Sequence, residues 1–215
     1  MLTKIRKIIL SLLMLITVFI EIKGFGLTFR SLGTGIFIYY TEISNLIALL
    51  SASVALVYLI IKFKSTSCEF PNWLSALRFL SATMLLMTML ITIFVLVPHS
   101  PHLKDSLLFS GYGLYHHTLA PIITLFSYLC LEPHFSKKKA LLLPLGATFI
   151  YGLFMVIFNI LGKVDGPYFF LRVTYQPIKT TVIWSIALLL LVLFFATIIY
   201  LLSLLVDYLK RKIFK

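Results

Sequence analysis

Polar side chains interrupt two apolar stretches of the sequence and could together form a nucleophile and its base. The stretch FIYYTEISNLIALL, residues 37–50, carries four of them: Thr41, Glu42, Ser44 and Asn45. A later stretch, GYGLYHHTLAPII, carries the adjacent His116 and His117. A threonine hydroxyl that is deprotonated by an imidazole can attack an ester, provided that a third group holds the ring. Three side chains are candidates for that third group: Glu21, Glu42 and Asn45.

The composition places these residues in a membrane protein. Of the 215 residues, 60% are hydrophobic and 12% are charged, and the mean hydropathy is +1.05. A soluble domain of this size could not cover its surface with so few polar atoms, and the apolar runs reach the length of about 20 residues that a spanning helix needs. The net charge of +12 comes from short Lys/Arg clusters between these runs, which is typical of membrane topology. The sequence therefore predicts no nucleic-acid partner.

Six apolar segments predict an all-α, polytopic six-helix bundle that forms one domain over residues 1–215. The segments cover residues 7–28, 36–61, 73–97, 106–131, 139–162 and 178–207, and prolines fall in or beside most gaps. Twelve Lys/Arg residues lie at 4–7, 62–64, 137–139 and 210–215, six lie in the opposite gaps, and Arg78 is expected to reach toward the twelve-charge side. The positive-inside rule then predicts a multi-pass protein of the cell membrane with both termini in the cytoplasm.

The candidate residues converge in one half of the predicted membrane. With a rise of about 1.5 Å per residue, Thr41, the two histidines and Glu21 fall in its outer half, where ionisable groups usually face a cavity or a partner. Small and polar residues at 41, 44, 45, 48, 51, 52 and 55 predict one face of the second helix. That face either contributes to the cavity or forms a seam for close helix packing. Glu42 points about 100° away and is expected at the cavity edge or paired elsewhere, with Arg30 as a candidate.

Other chemistries fit these residues less well. The loop segment PHSPHLKD offers three potential zinc ligands: His99, His102 and Asp105. Their loop spacing is not the helical i, i+4 pair that preforms a metal site, and haem would need axial histidines on opposed helices. We expect no metal and no cofactor. Proton-coupled transport through Glu21, Glu42 and His116 remains an alternative, because intramembrane ionisable groups can relay protons.

Three short motifs resemble the androgen-induced family of six-helix membrane hydrolases, which cleave fatty acid esters of hydroxy fatty acids with an intramembrane threonine and histidine. FIYYTEISNLIALL is similar to the start of the family's second helix, where an aromatic lead precedes a threonine and a polar residue three positions on. HHTLAPII is similar to its fourth-helix motif, and KVDGPYFFLRV is similar to its outer loop before the sixth helix. The resemblance covers most of the chain in helix number and order.

The resemblance implies catalytic roles for individual residues. It implies that Thr41 is the nucleophile. In the family a histidine is followed by four residues and a proline, and His116 satisfies this spacing with Pro121, so it is favoured as the base. His117 is the reserve, because its step to Thr118 also matches the family's His-Thr step.

The expected function is hydrolysis of a membrane lipid or another fatty-acyl ester. Ser44 and Asn45 are expected to keep the pocket polar. The loop 163–177 is expected either to cap the pocket or to form an aromatic belt at the membrane interface. The resemblance adds Tyr168, in this loop, and Asn159, near the end of the fifth helix, to the pocket. An acyl-enzyme can also pass its acyl group to another acceptor, so lipid acyl transfer is an alternative, alongside non-enzymatic transport.

Overall fold

The structure, a computed structural model, describes residues 2–65, 69–135 and 137–213. Within these ranges the chain is helical and contains no β-strand. The principal helices in chain order are α1 Leu2–Leu32, α2 Tyr40–Ile61, α3 Asn72–Ile91, α4 Ala120–Leu131, α5 Leu142–Ile160 and α6 Ile178–Ile213. Each belongs to a helical segment that is long and apolar enough to cross a membrane. The predicted all-α, six-helix membrane fold is confirmed.

Helix α4 begins after a wide π-helical turn, Leu114–Leu119. A proline has no N–H and clashes with the carbonyl four residues before it, so Pro121 opposes a regular α-helical turn here. The N–H of Ala120 instead bonds to the carbonyl of Tyr115, five residues earlier. A second π-helical turn, Thr92–Leu96, extends α3. Such turns occur frequently at functional sites.

The predicted fourth helix, 106–131, is interrupted in the structure. A short helix, Lys104–Leu108, ends before a turn at Gly111, whose φ of +54° is a left-handed conformation that glycine adopts without steric cost. The first and last helices are longer than the predicted 7–28 and 178–207. Charged and polar residues at their ends explain the difference, because they stop the apolar pattern without stopping the helix.

Helix α3 lies at the centre of the bundle. It contacts α2, α4, α5 and α6, while α1 packs against α2 and α4. A buried cluster joins Met87 of α3 to Tyr40 of α2 and Tyr151 of α5. Phe170, from the loop between α5 and α6, is buried in the same cluster. This loop therefore packs onto the end of the bundle at which α2 begins.

The small and polar face that the sequence predicts on α2 is buried. From Ser44 through Ala48 to Ala55 its members are inaccessible to solvent. Small side chains allow the close helix approach that this burial requires. The face packs against neighbouring helices, and the part nearest the start of α2 also borders the site described below.

Arg78 reaches toward the twelve-charge side, where Glu132 follows the end of α4, but it forms an ion pair there and does not reach water. Its side chain is completely buried and donates to both carboxylate oxygens of Glu132, at 2.9 and 2.7 Å. It also donates to the hydroxyls of Ser51 and Ser127, at 3.1 and 3.2 Å. A paired carboxylate and satisfied hydrogen bonds make burial of the guanidinium tolerable.

Candidate active site

Thr41 is the second residue of α2. The helix is preceded by Tyr39, which has an extended backbone, and the side chain of Thr41 is buried. The first N–H groups of a helix have no partner inside the helix, and the helix dipole concentrates partial positive charge there. A negative charge that develops beside Thr41 would therefore be stabilised by the backbone itself.

His117 lies beside the Thr41 hydroxyl. Its Nε2 is 3.3 Å from Thr41 Oγ1, and its Nδ1 is 2.7 Å from the carbonyl oxygen of Leu107. A carbonyl oxygen only accepts hydrogen bonds, so Nδ1 is the nitrogen that carries the proton. Nε2 is then free to accept the proton of the threonine hydroxyl, as a general base must.

The short helix Lys104–Leu108 packs closely against residues 111–119, which precede α4, and this packing brings the Leu107 carbonyl to His117. Gly113 makes this possible, because a Cβ at this position would collide with the backbone of residues 106 and 107. Thr118 fixes the same contact by donating to the Leu108 carbonyl at 2.8 Å. No residue type in the sequence indicated Leu107, since its contribution is a backbone atom.

Tyr168 also lies beside Thr41. Its hydroxyl lies 3.4 Å from both the backbone nitrogen and Oγ1 of Thr41. Burial raises the pKa of Tyr168 to about 12, despite its hydrogen bonds to Thr41, which lower the pKa. The phenol therefore keeps its proton at neutral pH and can donate a hydrogen bond to an anionic oxygen.

Thr41 and Tyr168 line two cavities at once, and the second cavity has the more polar lining. One is an apolar cavity of about 250 Å³ that is lined by α2, α3, α5 and α6. The other is a polar vestibule of about 370 Å³, with Glu42, His117 and Arg172 among its lining residues. A molecule with an apolar tail and a polar head could place the junction of the two beside the threonine hydroxyl.

The hydroxyl groups around the apolar cavity are occupied by protein partners. Tyr40 and Thr148 share a hydrogen bond of 2.9 Å, and Tyr151 donates to the carbonyl of Ile38 at 2.7 Å. Thr92 donates to the carbonyl of the residue four positions earlier. Because these hydroxyls are satisfied, the cavity offers an apolar surface in spite of its polar residue types.

His116 points away from Thr41 and into a buried cluster with two carboxylates. Its Nδ1 lies 3.1 Å from the Glu42 carboxylate, and its Nε2 lies 3.6 Å from Glu21. Glu21 and His116 are completely buried. Gly24 of α1 packs against the imidazole so closely that a Cβ there would collide with the ring. Glu42 therefore contacts His116 and not the expected Arg30.

The two adjacent histidines point in different directions, as neighbouring residues of a helix do, and their contacts reverse the order in which the sequence ranked them. His117 and not His116 contacts Thr41, although the spacing to Pro121 favoured His116. The expected third group also differs, because the Leu107 carbonyl holds the His117 ring in place of Glu21, Glu42 or Asn45. Spacing along a regular helix could not reveal this, since the π-helical turn changes the direction of each side chain.

Ser44 and Asn45 line neither cavity. Their side chains instead bond to the backbone of Thr41. Ser44 Oγ and Asn45 Nδ2 both donate to the Thr41 carbonyl, at 2.8 and 2.7 Å. Asn45 also donates to the His116 carbonyl at 3.3 Å. In a π-helical turn that carbonyl would bond to the N–H of residue 121, which proline lacks, so Asn45 supplies the missing donor.

Asn159 lies outside both cavities and organises the loop 163–177. Its Nδ2 donates to the Val164 carbonyl at 2.8 Å, and its Oδ1 accepts from the Val173 N–H at 2.7 Å. The expectation that Asn159 lines the pocket is therefore wrong. The residue instead joins the two ends of the loop that carries Tyr168.

The residues considered as zinc ligands are not arranged as a metal site. In the part of the chain that the structure describes, no group of three or more His, Cys, Asp or Glu side chains could hold a metal ion. His99 stacks on Phe169, with ring centroids 4.1 Å apart, and both residues line the vestibule.

No family model matches this chain, and neither a curated protein nor a solved structure matches it.

Proposed function

We propose that the protein is an intramembrane hydrolase of fatty-acyl esters, with Thr41 as nucleophile, His117 as general base and Tyr168 as a hydrogen-bond donor to the oxyanion. One observation carries the proposal. The Thr41 hydroxyl lies between the His117 Nε2 and the Tyr168 hydroxyl, at the junction of an apolar cavity and a polar vestibule. The resemblance of the Thr41 and His117 segments to the androgen-induced family supports the same chemistry.

The acylation step follows from this geometry. Thr41 Oγ1 attacks the carbonyl carbon of the ester while its proton passes to His117 Nε2. The carbonyl oxygen becomes an oxyanion, which accepts hydrogen bonds from the Tyr168 hydroxyl and from the N-terminal end of α2. The C–O bond to the alcohol then breaks, and His117 returns the proton to the departing alkoxide. The products are an acyl ester on Thr41 and a free alcohol.

Water completes the reaction from the vestibule. His117 removes a proton from the water as it attacks the acyl-threonine carbonyl, and the collapse of the intermediate releases the fatty acid and restores the threonine hydroxyl. The acyl chain occupies the apolar cavity and the alcohol half occupies the vestibule. If a lipid alcohol replaced the water, the same acyl-enzyme would perform acyl transfer. Release of free fatty acid in the absence of an added alcohol distinguishes hydrolysis from transfer.

The proposed location is the cell membrane, with both termini in the cytoplasm. The vestibule opens at the end of the bundle opposite the termini, so this orientation would expose it to the outside. Labelling of Arg172→Cys in a background with Cys68→Ser and Cys130→Ser, in whole cells with a membrane-impermeant maleimide, tests the orientation. Labelling of that variant before the membrane is broken supports it, and labelling only after lysis contradicts it.

Proton transfer is a second candidate function, and one observation favours it. Glu42 borders the vestibule, contacts His116, and is connected through that imidazole to the buried Glu21. Among the described residues, neither oxygen of Glu21 has a hydrogen-bond partner. This row of titratable groups leads from the vestibule toward the interior of the bundle, as the path of a proton relay does.

Covalent labelling separates the two candidates. The purified, detergent-solubilised protein is treated with a lipophilic fluorophosphonate, and the labelled residue is identified by peptide mass spectrometry. We expect an adduct on Thr41 that is lost in Thr41→Ala and reduced in His117→Gln, whereas His116→Gln retains it if the folding is intact. The transporter would be favoured over the hydrolase by two results together. The wild type would remain unlabelled, and it would carry protons into liposomes in a way that Glu42→Gln abolishes and Thr41→Ala preserves.

A further inference from the structure

The apolar cavity is elongated along α3 and α5. On α5 its lining runs from Val156, near the vestibule, to Thr148, eight residues deeper into the bundle. At about 1.5 Å per residue this is a depth of about 12 Å. An extended chain advances by about 1.2 Å per bond, so the cavity has room for about ten bonds. A long acyl chain does not fit within that depth unless it can leave the cavity.

The cavity reaches the lipid-facing surface of α5. Phe149 and Leu153 line it, although their side chains are 53% and 47% exposed on the outside of the bundle. Gly152 lies between them and also lines the cavity. A Cβ at position 152 would meet nothing within 4 Å. The missing side chain therefore leaves open space at the point where the cavity meets the lipid-facing surface.

We propose that Gly152 forms a lateral portal, through which the acyl chain of a membrane lipid enters the cavity and through which the distal part of a long chain remains in the bilayer. This inference rests on the proposed function and adds the route and length of the acyl chain to it. Apolar walls favour an acyl chain as the occupant, because the hydroxyls that line the cavity are engaged with the protein. A lipid that enters sideways never has to leave the membrane.

Position 152 lies about halfway along the cavity. Four residues separate it from Val156, which corresponds to about 6 Å or about five bonds. A butyryl chain ends before this point, whereas a palmitoyl chain must pass it. A larger side chain at position 152 should therefore block long chains and spare short ones. A substitution that merely disturbed folding would affect both.

The first experiment compares Gly152→Leu with Gly146→Leu. Gly146 lies on the same helix, also has open space around its Cβ position, and does not line the cavity. Purified variants in detergent are tested with methylumbelliferyl butyrate and palmitate. We expect Gly152→Leu to lose at least about tenfold in kcat/KM for palmitate, or about 1.4 kcal/mol, with butyrate unchanged to within about twofold. Gly146→Leu should retain both. Equal losses for both esters in Gly152→Leu, or full retention of palmitate, would overturn the portal.

A binding measurement keeps the portal testable if the protein hydrolyses neither ester. The sequence has two tryptophans, and Trp184 packs against Phe170 of the cavity lining, with ring centroids 5.4 Å apart. In a Trp73→Phe background, palmitate brominated in mid-chain should quench the fluorescence of Trp184. The extent of quenching should fall in Gly152→Leu and stay unchanged in Gly146→Leu. Selective loss of quenching with no esterase activity would retain the portal and reject the hydrolase. Equal quenching in all variants would reject the portal.

Discussion

Replacement of Tyr168 by phenylalanine isolates a single oxygen atom in the proposed mechanism. The phenylalanine ring can keep the stacking of Tyr168 on Phe170, whose centroid is 5.2 Å away, and its edge contact with Tyr39 at 6.1 Å. Substrate binding should therefore change little, and we expect KM to stay within about twofold. The hydroxyl lost is the one that lies 3.4 Å from the Thr41 nitrogen and Oγ1.

The size of the effect follows from the role of that hydroxyl. Removal of one oxyanion donor costs about 10²–10³ in kcat. Because 3.4 Å is longer than the separation expected for a donor in a reacting complex, we place Tyr168→Phe at the lower end, about 100-fold in kcat, or about 2.7 kcal/mol. Tyr175 is a matched control, since it lies in the same loop and its side chain is 73% exposed. The assay is steady-state hydrolysis of methylumbelliferyl octanoate in detergent.

The pH profile gives an independent test of the same residue. The pKa of Tyr168 is raised by burial to about 12, so the donor stays protonated as the pH rises through 10, the ordinary value of tyrosine. Loss of activity through ionisation of Tyr168 should begin only as the pH approaches 12. A kcat in Tyr168→Phe equal to that of Tyr175→Phe would refute the oxyanion role. An alkaline decline near pH 10 that disappears in Tyr168→Phe would contradict the raised pKa.

Two further predictions concern stability and are measured as thermal unfolding in detergent. Gly24→Ala should destabilise the protein by about 1–3 kcal/mol, because the new Cβ overlaps the His116 ring. Gly26→Ala should stabilise it slightly, because a Cβ at position 26 has open space around it. Equal unfolding midpoints for the two variants would contradict the packing argument. Arg78→Ala and Glu132→Ala should each lower the free energy of unfolding by about 3–5 kcal/mol, since each leaves a buried charge unpaired. A double variant in which two apolar side chains replace the pair should be more stable than either single variant. A double variant as unstable as the sum of the two losses would argue against this account.

The fold could be predicted from the sequence because the bilayer limits the choices. Apolar runs of spanning length and prolines in most gaps were enough to place six helices, and the burial of Ser44 and Asn45 followed from their helical spacing with Thr41. The turn at Gly111 escaped prediction, because apolar residues continue on both sides of it. Hydropathy records which residues prefer lipid and does not record where the backbone changes direction.

The candidate site was harder to predict, for two physical reasons. The ring of His117 is oriented by a backbone carbonyl, which has no signature in the residue types. The choice between His116 and His117 depends on how the π-helical turn directs each ring, and the spacing to Pro121 that the family resemblance supplied favoured the other histidine. Tyr168 was found only through the resemblance of its loop, since its distance from Thr41 along the chain hides the contact.

Pro121 also limits which sequence changes the site can tolerate during evolution. The π-helical turn that this proline and Asn45 accompany sets the direction of both neighbouring histidine side chains. A mutation that relocated the proline would disturb the esterase pair and the carboxylate cluster in a single step. The two histidines should therefore be unable to substitute for each other during evolution, and the interval between them and the proline should tolerate neither insertion nor deletion.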